Sequence, residues 1–188
     1  MDKKALRKYI IQKRMSLSDS ERLDASNAVF QHLLTFESFK SASTVSSFVT
    51  FGAEIQTNAI NHWILDQGKR LVLPYISPTE KKMTFYEIRN LDELVLNDFG
   101  ILEPCPTIHS IVDYTKIDFV ITPGVAFSKD GFRLGYGGGF YDRFFSELKK
   151  TIPKIGIAFD CQLVDELPVA SYDMPIDALI TEKGIRHF

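Results

Sequence analysis

The stretch RLGYGGGFYDRF, Arg133 to Phe144, gathers groups that chemistry could use. Four glycines fall among the five positions Gly135 to Gly139, with Arg133 before them and Phe140, Tyr141 and Asp142 after. Glycine in an ordered segment costs stability unless the backbone must bend unusually or approach something closely. A glycine-rich turn that opens a helix presents unpaired N–H groups at the positive end of the helix dipole, a setting that suits phosphate oxygens. Lys129 and Arg133 add positive charge just upstream. The common phosphate motifs do not fit. A P-loop needs a Lys-Ser/Thr pair after its last glycine, and Gly139 is followed by Phe140-Tyr141. A GxGxxG pattern starts at Gly135 and fails at Phe140. A flexible or tightly packed turn is the plain alternative; four glycines between Arg133 and Asp142 favour a ligand loop.

Asp142 falls in the first turn of the helix that this loop opens. An acid there either complements the helix dipole or holds Mg²⁺ against phosphates bound by the loop. At the N-terminus, KKALRKYIIQKR places Lys3, Arg7 and Arg14 within a narrow stripe of a helix, with Leu6, Tyr9 and Ile10 on another face. That stripe is either a solvated basic face or a means for Lys3 and Arg7 to reach a polyphosphate. Lysine would supply a point charge, and arginine two parallel contacts.

The elements that must position these groups follow from periodicity and punctuation. Residues 2–14 and 16–36 read as helices, the second begun by a capping box of Ser18 and Glu21. Strands are expected at 44–51, 69–76, 82–88, 153–159 and 177–181, and a helix at 57–68 that Gly68 closes. Residues 116–127 read as a strand running into a Pro-Gly turn, 138–150 as a helix, and 90–116 as a connection with short elements. Alternating strands and helices predict an α/β fold with a largely parallel central sheet. In such a sheet, ligands bind beyond the carboxyl ends of the strands, where the glycine loop would sit.

The chain of 188 residues suffices for one domain, residues 1–188. A net charge of -2 gives no global basicity for nucleic acid, so any anion site must be local. Cys105 and Cys161 are far apart and lack a CxxC partner; two buried, reduced thiols are expected. The four histidines, His32, His62, His109 and His187, show no ligand spacing. No apolar run approaches membrane-spanning length, and the N-terminus is too charged for a signal peptide. A cytoplasmic protein with no membrane partner, acting as a monomer, is the expectation.

TPGVAFSKDGFRLGYGGGFYDRF closely resembles the signature of the 5-formyltetrahydrofolate cyclo-ligase family. The resemblance extends to KKALRKYIIQKR, FVTFGAEIQT, FGILEP and PVASYDMPIDALIT, in the family's order and spacing. It implies a three-layer α/β sandwich and an ATP- and Mg²⁺-dependent conversion of 5-formyltetrahydrofolate to 5,10-methenyltetrahydrofolate, with ADP and phosphate released. Carried over, Lys3, Lys4 and Arg7 would touch ATP, as would Arg133, Leu134, Gly135, Tyr136, Gly137, Gly138, Gly139, Phe140 and Tyr141. Val49 and Glu54 would line the folate site, which Tyr136 to Phe140 would share. Asp142 and Asp173 resemble the magnesium carboxylates, and Arg133 and Asp142 the catalytic pair.

Two positions depart from the family. Many relatives carry a basic residue in place of Tyr136 and a tyrosine in place of Phe140. The first change removes or replaces a phosphate contact; the second keeps ring stacking and forgoes a hydroxyl. Glu54 is either a solvated strand-end acid or the acceptor of two pterin N–H groups. Trp63 is explained by core packing, whereas Tyr75, Phe85 and Tyr172 stay open. A sugar-phosphate isomerase or CoA transferase, and a non-catalytic nucleotide- or folate-binding regulator, remain the competing readings. Dependence on ATP separates the cyclo-ligase from the two other enzymes.

Overall fold

The computed structural model describes residues 2–77 and 79–188. Its main sheet has eight strands, in the spatial order Gly184–His187, Ala178–Thr181, Lys154–Ile157, Phe119–Thr122, Thr44–Ser46, Arg70–Ile76, Met83–Ile88 and Ile111–Val112. The five strands from Ala178–Thr181 to Arg70–Ile76 are parallel. The outer strands at both edges pair antiparallel. Four of the parallel strands are only three or four residues long and buried throughout, as a sheet covered by helices on both faces requires.

The period-2 alternation of side chains sorts the core into two halves. Leu71, Leu73, Phe119 and Ile121 face one side, and Val72 and Val120 the other. On the first side lie three helices: α2 (Asp19–Leu33), α3 (Glu37–Ser41) and α4 (Asn58–Asp66), through Val29, Leu33, Phe39, Ile60 and Ile64. On the second lies α5 (Phe140–Glu147), through Phe144 and Phe145. Phe144 is 1% exposed and packs 4.5 Å from the Phe85 ring, so it anchors the helix that the glycine loop opens. Removing such a ring costs about 3–5 kcal/mol. The result is the expected three-layer α/β arrangement.

The helix α1 (Lys3–Met15) rests elsewhere. Leu6 and Ile10 pack on Val125, Ala126 and Leu134, next to a small sheet of Leu163–Val164, Ala126–Ser128 and Arg133–Leu134. Because Arg133–Leu134 leads directly into the glycine loop, this apolar contact brings the start of α1 to that loop.

Taken in chain order, the five parallel strands lie 2-1-3-4-5 in space. The order reverses between Thr44–Ser46 and Phe119–Thr122, and a crevice forms beyond their carboxyl ends. The segments leaving those two ends carry Val49 and Glu54 on one side, and Pro123-Gly124 on the other.

Several elements differ from the expectation. The strand expected at 44–51 is regular only over Thr44–Ser46, because the chain turns away into the crevice. The strand expected at 116–127 divides into Phe119–Thr122 and Ala126–Ser128, which belong to different sheets. The helix expected at 16–36 stops at Leu33, and α3 follows after a break. Gly184–His187 had no strand signal, since it pairs at an edge and is half exposed. Cys105 and Cys161 are free thiols, as expected, but each is only half buried.

Candidate active site

The loop from Gly135 to Gly139 needs its glycines for identifiable reasons. Gly137 and Gly139 adopt φ of 113° and 65°, the region that side chains disfavour. A Cβ on Gly138 would lie 2.3 Å from the Phe140 ring. Gly139 is the N-cap of α5, and no side chain caps that end. The first amides of α5 therefore keep their donors for something other than the protein's own caps.

These amides border a cavity of about 430 Å³ at the switch point of the sheet. Every residue from Arg133 to Asp142 lines it, together with Lys3, Arg7, Pro123, Gly124, Tyr172 and Asp173. Three cations and two carboxylates thus meet around one space. The Arg7 Nε donates to the Gly135 carbonyl at 2.7 Å, tying α1 to the loop. The Lys3 ammonium bonds Asp173 Oδ2 at 3.0 Å, and the Ala170 amide donates to the same oxygen at 2.8 Å. Partial burial opposes ionisation of Asp173, but that amide, Lys3 and Arg133 outweigh it and hold the carboxyl below its ordinary value.

Arg133 is 7% exposed, and its Nη2 reaches Asp142 Oδ1 at 3.2 Å. Its Nε has no hydrogen-bond partner among the described residues. The guanidinium sits 5.3 Å from the Tyr141 ring centre and 4.8 Å from that of Phe145. Burial lowers its pKa, while Asp142 acts in the opposite direction. The Met174 amide also donates to Asp142 Oδ1, at 3.1 Å. In both Asp142 and Asp173, the protein's hydrogen bonds converge on a single oxygen. The Tyr141 hydroxyl is buried without a hydrogen-bond partner among the described residues, and that burial pushes its pKa up.

The turn after Phe119–Thr122 is held by Gln162, whose Nε2 donates to the carbonyls of Gly124 at 2.8 Å and Val125 at 3.1 Å. A Cβ on Gly124 would lie 2.6 Å from the Phe127 ring, so the close approach there requires glycine.

Not every residue singled out from the sequence reaches the cavity. Lys4 is exposed and lies outside its lining, because one step along α1 turns it away from Lys3. Val49 is half buried and packs on the helix-covered core, also outside the lining. Glu54 is 7% exposed and lies behind Tyr136. Its Oε1 accepts from the Tyr136 hydroxyl at 2.8 Å, and its Oε2 from the Phe51 amide at 3.0 Å. Arg14, which sequence reasoning left on the basic stripe, is buried here and donates to the same hydroxyl at 3.0 Å. The one available signal was its place at the far end of that stripe. Burial pushes the Glu54 carboxyl above the ordinary glutamate range; hydrogen bonds from Tyr136 and Phe51, and the charge of Arg14, oppose the rise. The Tyr136 hydroxyl is pushed up to about 12, chiefly by burial and then by Glu54, so it stays a donor.

Of the aromatic residues left open, Tyr172 lines the cavity and is 71% exposed. Tyr75 and Phe85 lie outside the lining: Tyr75 packs edge-on to Tyr86, and Phe85 is core. Trp63 stacks on Phe39 at 4.8 Å, as core packing requires.

The cyclo-ligase pattern can now be compared across the whole chain. The profile of the 5-formyltetrahydrofolate cyclo-ligase family matches residues 1–182. The chain belongs to that family. The 5-formyltetrahydrofolate cyclo-ligase of Escherichia coli (strain K12) is 35% identical over 179 residues, which are 94% of this chain and 98% of that protein. The corresponding protein of Haemophilus influenzae is 33% identical, over 87% of this chain and 88% of its own length. Among solved structures, the 5,10-methenyltetrahydrofolate synthetase of Aquifex aeolicus superposes with a TM-score of 0.86 at 33% identity, covering 100% of this chain and 93% of that one. The synthetase of Mycoplasma pneumoniae gives 0.79 at 29% identity, covering 97% and 99%. As a member of the family, the protein is a 5-formyltetrahydrofolate cyclo-ligase, an enzyme that acts on a folate. A relative from Arabidopsis thaliana is named mitochondrial. Among the described residues, no helix is long and apolar enough to cross a membrane.

Proposed function

We propose that the enzyme joins N5 and N10 of 5-formyltetrahydrofolate through the formyl carbon by first phosphorylating the formyl oxygen with ATP. The formyl group is an amide, and its oxygen leaves poorly. Transfer of the γ-phosphoryl breaks the terminal P–O bond of ATP, releases ADP and forms a bond to that oxygen. The N5 lone pair moves into an N5=C bond, N10 attacks the carbon, and phosphate departs with the C–O electrons. Loss of the N10 proton leaves 5,10-methenyltetrahydrofolate.

Such a transfer asks for positioning and charge neutralisation rather than a protein nucleophile. The uncapped amides at Gly137 to Phe140 suit the phosphates, and Lys3, Arg7 and Arg133 supply charge at the same cavity. Arg133 is the group best placed to meet charge on the moving phosphoryl, since its buried Nε has no partner among the described residues.

Among the described residues, no group of three or more His, Cys, Asp or Glu could hold a metal by itself. Asp142 and Asp173 fit Mg²⁺ in another way: each spends one oxygen on the protein and lines the cavity where phosphates would supply the remaining ligands. When bound, the ion would neutralise phosphate charge and orient the terminal phosphoryl. Folate would enter from the Glu54 side, where the carboxylate can accept two pterin N–H groups. Since every one of these groups comes from a single chain, a monomer suffices.

The observation that carries this reading is the meeting of an uncapped glycine turn, three cations and two half-used carboxylates on one cavity. Absorbance of methenyltetrahydrofolate, followed with and without ATP and Mg²⁺, tests it. Formation only with both supports the reading; full turnover without ATP would fit an isomerase- or transferase-like chemistry and refute it.

A further inference from the structure

Arg14 is 3% exposed and lies at the inner end of α1. Its Nη2 donates to Tyr136, while Nε and Nη1 have no hydrogen-bond partner among the described residues. Nη1 stands 3.9 Å from Glu54 Oε1, an ion pair too long for a hydrogen bond. A buried guanidinium with most of its donors idle is costly to retain and calls for an explanation.

Between Arg14 and Glu54, the Tyr136 hydroxyl accepts at 3.0 Å from the first and donates at 2.8 Å to the second. One acceptor and one donor side by side is also what a lactam edge offers, a carbonyl oxygen next to a ring N–H. The pterin of 5-formyltetrahydrofolate carries such an edge. We propose that Arg14 and Glu54 together recognise that edge, Arg14 binding the carbonyl oxygen and Glu54 the ring N–H, and that Tyr136 fills the place until folate displaces it. This inference rests on the reading above, in which folate binds at Glu54.

The surroundings permit the exchange. Tyr136 lies between Gly135 and Gly137, and Gly137 already adopts a φ of 113° that needs no side-chain accommodation. Its ring lines both the main cavity and a neighbouring one of about 410 Å³ that Arg14 also lines. Tyr136 is therefore the partition, and moving it opens the main cavity to Arg14 and Glu54. The idle donors of Arg14 gain an acceptor only when the hydroxyl is replaced by a ligand with a wider polar edge.

Calorimetric titration of the full chain with 5-formyltetrahydrofolate and with its 4-amino-4-deoxy analogue tests the assignment. The analogue presents an amino donor where the lactam presents its acceptor, and its neighbouring ring nitrogen carries no proton, so the partners of both Arg14 and Glu54 are reversed. The native protein should favour the lactam by on the order of a hundredfold, since a site built for a hydrogen bond rejects the ligand that leaves it unpaired. Arg14→Met should reduce that preference about tenfold, leaving the part that Glu54 supplies, and weaken lactam binding tenfold or more, and Arg14→Lys should restore part of the preference. A merely structural role would weaken both ligands alike and leave their ratio intact.

Tyr136→Phe, which keeps the ring, should tighten lactam binding several-fold by removing the competitor. It also serves if Arg14→Met fails to fold. An unchanged ratio in Arg14→Met, or weaker folate binding in Tyr136→Phe, overturns the inference. If Glu54→Gln still weakens folate in that case, only the role of Arg14 is lost. If Glu54→Gln also binds folate normally, the placement of folate at Glu54 fails as well.

Discussion

The two ends of the site are built on opposite principles. At the glycine loop, backbone donors are left unspent: Gly139 caps α5 without a side chain, and Gly137 and Gly139 hold left-handed conformations. At the Glu54 end, the carboxylate is occupied: its oxygens already accept from Tyr136 and Phe51. The first end is organised before any ligand arrives, and its worth lies in donors that cost nothing to reorient. The second is closed by a residue of the first end's own loop, because Tyr136 sits among the glycines. A ligand on the loop and a ligand at Glu54 therefore act on one segment of chain, which gives a physical route for coupling the two substrates.

The largest effect is expected from breaking the first end at Asp142. Asp142→Asn should lower Mg²⁺-supported turnover by on the order of 10²–10³-fold. A magnesium titration separates this from the stability lost when buried Arg133 keeps no counter-charge; a wild-type magnesium response would remove Asp142 from the metal site. Gly137→Ala strains the loop by about 1–3 kcal/mol, since φ there is 113°. The free loop can shed that strain by leaving the conformation, so nucleotide affinity should fall by up to that amount while melting temperature changes less; unchanged ATP binding would mean that the loop conformation is not what holds the phosphates.

The second end should respond to pH. The carboxylate form of Glu54 is the one that accepts two N–H groups, and burial raises its pKa. Folate affinity should therefore decline on acidification from above the ordinary glutamate range, and Glu54→Gln should flatten the profile. An identical slope in that variant would assign the titration to another group.

The smallest effect concerns Lys3. The lowered pKa of Asp173 contributes stability that is present above its unfolded value, about 3.9, and lost as pH falls through the lower folded value. Lys3→Met raises the folded value, so acid unfolding should begin at slightly higher pH. At neutral pH the cost should stay within about 1 kcal/mol, since this pair is partly exposed. A larger loss would give Lys3 a structural role that the geometry does not suggest.

Much of the first end was legible because its chemistry is local. Four glycines, Arg133 and Asp142 stand within ten residues, and backbone need and charge can be read from such spacing. The parallel strands were legible for a similar reason, since 119–122 and 178–181 are short apolar runs. The second end was legible only in part: Glu54 and Tyr136 were singled out through the family resemblance, but their meeting with Arg14 was not. Arg14, Glu54 and Tyr136 lie on three separated segments, and only the packing of Leu6 and Ile10 on Leu134 brings α1 to them. From the helix alone, Arg14 was one more charge on a basic stripe. The division of 116–127 between two sheets was hidden because Pro123-Gly124 reads equally as the end of a strand or as a bend between two.

The most direct test is a crystal structure of the enzyme with a non-hydrolysable ATP analogue and 5-formyltetrahydrofolate. The account predicts phosphate oxygens on the amides of Gly137 to Phe140 and the Tyr136 hydroxyl displaced from Glu54, with the pterin in its place. Phosphates bound elsewhere, or Tyr136 still bonded to Glu54 with both ligands present, would contradict it.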